Sequence, residues 1–138
     1  MTFCTLFDSY YLDKGLVLYR SLEQVTDDFA LYIFCFDDKS EEILKKMELK
    51  HAIILSYRDI EKDEPRLLKA KEERSKAEYC WTCTPVIIEY VLKHYDVSSC
   101  TYIDSDLYFL ADPKPLFDEI KDLEILFHII VLWAGLSP

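Results

Sequence analysis

Asp104 and Asp106, with Ser105 between them, follow the short apolar run Thr101-Tyr102-Ile103. In an extended chain, residues two apart point to the same side. Two carboxylates held so can bind Mg²⁺ or Mn²⁺ directly or through water and leave positions open for phosphate oxygens. Such a cation acts as a Lewis acid, neutralising a diphosphate as it departs. The bare pattern is weak, because 14 Asp in 138 residues produce about one such triplet by chance. A polar turn at the end of a strand has the same sequence. The context adds weight: an apolar strand before the triplet, then Tyr108-Phe109 and Asp112-Pro113 after it.

Three other groups could do chemistry. Asp8, followed by Tyr10 and Tyr11, ends the apolar run Phe3–Phe7. A carboxylate there can accept a nucleobase N–H while a neighbouring ring stacks on the base. The alternative is that Asp8 or Ser9 caps the following helix. Arg74 and Lys76 lie in the charged stretch KAKEERSKAE, residues 69–78. Either could meet a phosphate, Arg through two parallel bonds, although most of this stretch also fits a solvated helix face with i, i+4 charge pairs. Cys80 and Cys83 form a CxxC just before Thr84-Pro85. A dithiol redox site at a helix N-terminus is one reading. A zinc site is a second, although it would want another ligand pair and only Cys100 is near in sequence. A pair of buried structural thiols is the third.

These residues need elements to position them. Phe3–Phe7, Ala30–Phe36, Ala52–Leu55 and Cys100–Ile103 are continuous apolar runs that read as strands buried on both faces. Between them, Gly15, Leu18, Tyr19 and Leu22 share one face of a helix over about residues 11–24. Ser40 can cap a helix reaching Met47. Residues 58–76 are highly charged and read as helical in their second part. Thr84-Pro85 can open a helix through His94, since proline is tolerated in the first turn. Asp112-Pro113 starts a turn, with a short helix over 115–120. Strands alternating with helices define an α/β domain with a mainly parallel sheet and helices on both faces. Asp8, Asp37 and Asp104 each end a strand, at the rim where open α/β sheets bind ligands.

Composition narrows the function. The chain of 138 residues is 51% hydrophobic, enough for one core and one ordinary domain. Its 16 basic and 26 acidic residues give a net charge of −10, which excludes binding nucleic acid through bulk charge. An anionic phosphate compound would need a bridging cation or a few local Lys and Arg. Gly15 and Gly135 are the only glycines, so there is no P-loop, no GxGxxG turn and no GxSxG elbow. No run is long enough to span a membrane. The residues after Met1 lack a basic leader, and the five scattered cysteines read as reduced thiols in the cytoplasm.

Together the segments FCTLFDSYY (residues 3–11), Leu31–Asp38 and TYIDSD (101–106) resemble the nucleotide-sugar glycosyltransferases of the GT-A type, in particular bacterial retaining galactosyl- and glucosyltransferases. The resemblance covers about Thr2–Ile120. It implies a Rossmann-like sheet, a nucleotide-sugar donor such as a UDP-sugar, and Mn²⁺ or Mg²⁺ as cofactor. It also implies roles for particular residues. Asp8 and Tyr11 would hold the base, Arg74 would contact the diphosphate region with Lys76 as a neighbour, and Ser105 would lie against the donor. Asp104 would contact the metal or ribose, and Asp106 would ligate the metal. The segment RSKAEYCWTCTP, residues 74–85, is similar to a block of the same family, where the two cysteines would pack a helix. Complete members of that family are longer, with a later region that binds the acceptor and supplies a metal-binding His. Residues 1–122 therefore read as the donor-binding domain, and 123–138 as an apolar tail unlike the family continuation, with His128 no secure substitute for that ligand. The expectation is a truncated or split enzyme, a partner-dependent subunit or a non-catalytic remnant, prone to self-associate through exposed sheet.

Overall fold

The structure, a computed structural model, describes residues 1–120. The apolar tail expected over 123–138, His128 within it, and the domain boundary at 122 lie outside the described residues. The elements run β1 (Thr2–Phe7), α1 (Leu12–Val25), β2 (Ala30–Cys35), α2 (Asp38–Met47), β3 (Ala52–Ser56), α3 (Tyr57–Asp63), α4 (Arg66–Glu73), α5 (Lys76–His94), β4 (Thr101–Tyr102) and α6 (Lys114–Ile120). The four strands form one sheet in the order β3-β2-β1-β4. Every pairing is parallel, with Thr2 opposite Ala30, Leu31 opposite Ala52 and Phe3 opposite Thr101. This is the expected α/β architecture, and it is Rossmann-like.

The sheet separates two cores. Phe3, Phe7, Leu31, Ile33 and Cys35 pack with Leu18, Tyr19 and Leu22 of α1 and Leu44 of α2. The alternate residues Cys4, Leu6, Tyr32 and Phe34 pack with Ile60 of α3, Leu67 of α4 and Tyr79, Cys83, Ile87 and Val91 of α5. Side chains on a strand alternate between faces, so a strand covered on both sides must be apolar at nearly every position. That is why β1 and β2 read as unbroken apolar runs.

Three helix boundaries differ from the sequence reading. The helix expected to open at Thr84-Pro85 begins at Lys76, and Pro85 lies in its interior. Ser75 and Glu78 form a capping box that starts it: Ser75 Oγ accepts from the Glu78 N–H, and Glu78 returns a bond to the Ser75 N–H. Pro85 deprives the Trp81 carbonyl of its donor, but both residues are exposed, where water can replace the bond. Burial of Tyr79, Cys83, Ile87 and Val91 at four-residue spacing outweighs the roughly 3 kcal/mol cost of an interior proline. In α2 the cap is Asp37 rather than Ser40, and its carboxylate accepts from the Ser40 N–H at 2.7 Å. Residues 57–73 form two helices, the first started by a Ser56–Asp59 capping box. Among the described residues no helix is long and apolar enough to cross a membrane. All five cysteines are free.

Candidate functional site

β1, β2 and β3 progress in one direction across the sheet, and β4 returns to the opposite side of β1. This reversal opens a crevice at the carboxyl ends of β1 and β4, the place where open α/β sheets bind ligands. A cleft of about 640 Å³ lies there, lined from β1 and its loop by Asp8, Tyr10 and Tyr11, from α5 by Lys76, Cys80 and Trp81, and after β4 by Asp104, Ser105 and Asp106. Its size suits a small-molecule ligand.

Asp8 is 9% exposed. Its Oδ1 accepts from the backbone N–H groups of Tyr10 (3.0 Å) and Tyr11 (3.3 Å). Its Oδ2 accepts a charge-assisted bond from the Lys76 ammonium, 68 residues away in sequence. That bond to Asp8 pushes the Lys76 pKa up. Neither Asp8 nor Ser9 is the α1 cap: that position is Tyr11, which makes no side-chain cap bond. Tyr10 and Tyr11 sit with ring centroids 5.7 Å apart, and the Lys14 ammonium lies 4.2 Å from the Tyr11 ring.

The second carboxylate group differs from its expected geometry. Ser105 and Asp106 form a turn closed by the Leu107 N–H donating to the Asp104 carbonyl at 3.2 Å, so the triplet is not extended chain. β4 is only two residues long, and the backbone turns as soon as its pairing with β1 ends. Asp104 and Asp106 are nevertheless both exposed on the same cleft. Among the described residues no group of three or more His, Cys, Asp and Glu is arranged to hold a metal. Two carboxylates and the Ser105 hydroxyl are hard oxygen donors of the kind Mg²⁺ and Mn²⁺ take, with water and ligand oxygens completing the shell.

Two sequence candidates stand outside the cleft. Arg74 lies in an adjoining groove with Glu78, Trp81 and Thr82, its guanidinium on the Thr82 hydroxyl. Asp37, the third carboxylate at a strand end, is occupied structurally. Partial burial pushes its pKa up, but hydrogen bonds from Ser40 and Ser9 outweigh that and hold the carboxyl well below the usual range. The Ser9 bond, 2.9 Å from its N–H, pins the loop that carries Asp8.

Sequence reasoning missed the contribution of α5 to the cleft wall through Ala77, Cys80 and Trp81, the last 72% exposed. The signal was present: Ser75-x-x-Glu78 starts the helix, and Lys76 and Cys80 then fall four residues apart on one face. The same helix alters the reading of the CxxC. Cys80 and Cys83 lie beyond the first turn, and burial pushes both thiols up, Cys83 to about 11. A reactive dithiol needs a lowered pKa.

Fold and cleft together define a Rossmann-like α/β protein with a net acidic site at its topological switch point. No family model matches the chain. It is 36% identical over 125 residues to the uncharacterized protein YfnF of Bacillus subtilis (strain 168), covering 90% of this chain and 41% of that protein. It is 34% identical over 118 residues to the uncharacterized protein YfnD of the same organism, covering 85% of this chain and 37% of that protein. The chain thus spans about two-fifths of the length of the curated relatives it matches.

Proposed function

We propose that these residues form the donor-binding part of a glycosyltransferase, which takes a nucleoside-diphosphate sugar with Mn²⁺ or Mg²⁺ and passes the sugar to an acceptor hydroxyl. One observation carries the reading: the switch-point cleft brings Asp8, Tyr11, Lys76, Asp104, Ser105 and Asp106 together from three separate parts of the chain. With three carboxylates and a single ammonium among these six, the site would repel a diphosphate unless a divalent cation came with it. When bound, the cation neutralises charge on the departing diphosphate.

Asp104 and Asp106 hold that cation, and Ser105 donates to a donor oxygen. Asp8 accepts the base N–H, Tyr11 offers a ring for stacking, and Lys76 meets the phosphates. Arg74, in the adjoining groove, contacts the diphosphate region in this reading. Acceptor binding and transfer are proposed for the whole protein, of which the curated relatives have more than this chain spans. A cytoplasmic site of action fits a user of nucleotide sugars with five free thiols.

The test is calorimetric titration of the chain with UDP-sugars, with Mn²⁺ and then with EDTA. Binding is expected with Mn²⁺ and lost with EDTA. Asp106→Asn is expected to weaken it about tenfold or more, the scale of one interaction with a charged group. Metal-independent binding, or an Asp106→Asn variant that binds like wild type, would refute the role given to the carboxylate pair.

A further inference from the structure

We propose that Lys76 is the residue by which the cleft selects a nucleoside diphosphate over a bare nucleoside, because its ammonium keeps Asp8 occupied until an anion draws it away. The inference rests on the donor-binding reading above and adds a coupling between two of its parts. Asp8 Oδ1 already accepts two backbone N–H groups, from Tyr10 and Tyr11. Oδ2 is therefore the oxygen left to receive a base N–H, and it carries the Lys76 ammonium. Base and lysine meet at the same oxygen, where the ammonium draws off acceptor strength and its positive charge repels a second donor.

The two partners differ in freedom. The Asp8 side chain is 11% exposed and held by its loop, whereas the Lys76 side chain is 75% exposed. Lys76 is also the first residue of α5, where the helix dipole opposes a cation and favours an anion. The lysine can swing out at small packing cost, and an anion near that helix end attracts it. Its departure leaves a mostly buried carboxylate unpaired, which is unfavourable unless another donor arrives. A base N–H is such a donor. A bare nucleoside must share Oδ2 with the ammonium or displace it without giving it a new partner. A bare diphosphate takes the ammonium and strands Asp8. A nucleoside diphosphate satisfies both groups at once, so it gains more than its two halves.

The experiment is calorimetry on the full chain at fixed Mn²⁺, with uridine, pyrophosphate and UDP as probes. The variants are Lys76→Met and Asp8→Asn, each checked for native secondary structure by far-UV circular dichroism. Lys76→Met is expected to bind uridine about two- to fivefold tighter than wild type, the scale of a surface-accessible ion pair removed. The same variant should bind UDP about tenfold or more weaker. Asp8→Asn, which keeps an oxygen for the loop N–H groups and releases the lysine, should bind pyrophosphate about two- to fivefold tighter. If UDP binds wild type but Lys76→Met leaves uridine affinity unchanged or lower, the exchange is wrong while the donor site stands. If wild type binds neither UDP nor pyrophosphate, the donor reading fails and the exchange fails with it.

Discussion

Asp37 illustrates how a carboxylate at a strand end can serve the site without entering it. Its two oxygens accept from the Ser40 N–H at the start of α2 and the Ser9 N–H in the loop after β1. Hydrogen bonds to the charged form outweigh partial burial, so its folded pKa lies below the unfolded value of about 3.9. The unfolded chain therefore takes up this proton first. The resulting stabilisation is complete above about pH 5 and is lost as pH falls through the unfolded value toward the folded pKa. Asp37→Ala is expected to cost about 1–2 kcal/mol at pH 7, the range for a lost helix cap. The difference from wild type in urea unfolding should shrink as pH falls from 7 to 3. A pH-independent difference would show that the charge of Asp37 contributes nothing. Asp8 is the contrasting case: its lysine partner is an exposed side chain that a ligand can displace.

At the scale of elements, the β1–α1 contact sets where Asp8 lies. Gly15 of α1 faces the ring of Phe7, the last residue of β1. A Cβ at Gly15 would fall 2.9 Å from Phe7 Cε2 and closer still to Cε1 and Cζ. Alanine is the better helix former by about 1 kcal/mol, but here it must displace a ring packed in the core. Gly15→Ala is therefore expected to destabilise by about 1–3 kcal/mol, the range for overpacking, measured by urea unfolding. Because Phe7 immediately precedes Asp8, the variant should also weaken donor binding. A variant more stable than wild type would mean that the ring yields freely. The α5 start was also legible, since Ser75-x-x-Glu78 is a local signal. It was overshadowed by Thr84-Pro85, a sequence that opens helices elsewhere and here lies within one. Ile87 and Val91, buried with Tyr79 and Cys83, keep that helix intact through the proline.

At the scale of the whole molecule, β1 and β2 feed both cores, with alternate residues in each. Neither helical layer can leave without uncovering an apolar face of the same two strands. Unfolding is expected as one transition, with far-UV and near-UV circular dichroism superimposing across a denaturant titration. Separated curves would show that the α3–α5 layer opens independently, and with it the cleft wall that carries Lys76. The net charge of −10 and the acidic cleft act in the same direction, favouring cations at the switch point.

The sequence by itself determined the alternation of strands and helices, the doubly buried sheet and the carboxylates at strand ends. Each is written in local periodicity or in the residue that interrupts an apolar run. Only the tertiary structure decided which of those carboxylates share one cleft. Strand order places β4 beside β1, so Asp104 and Asp106 line one cleft with Asp8 while Asp37 is turned to capping. It also placed Lys76 on Asp8 and left Arg74 in the neighbouring groove. Those pairings join residues far apart in the chain, and they are set by how the packed layers meet rather than by any spacing along it.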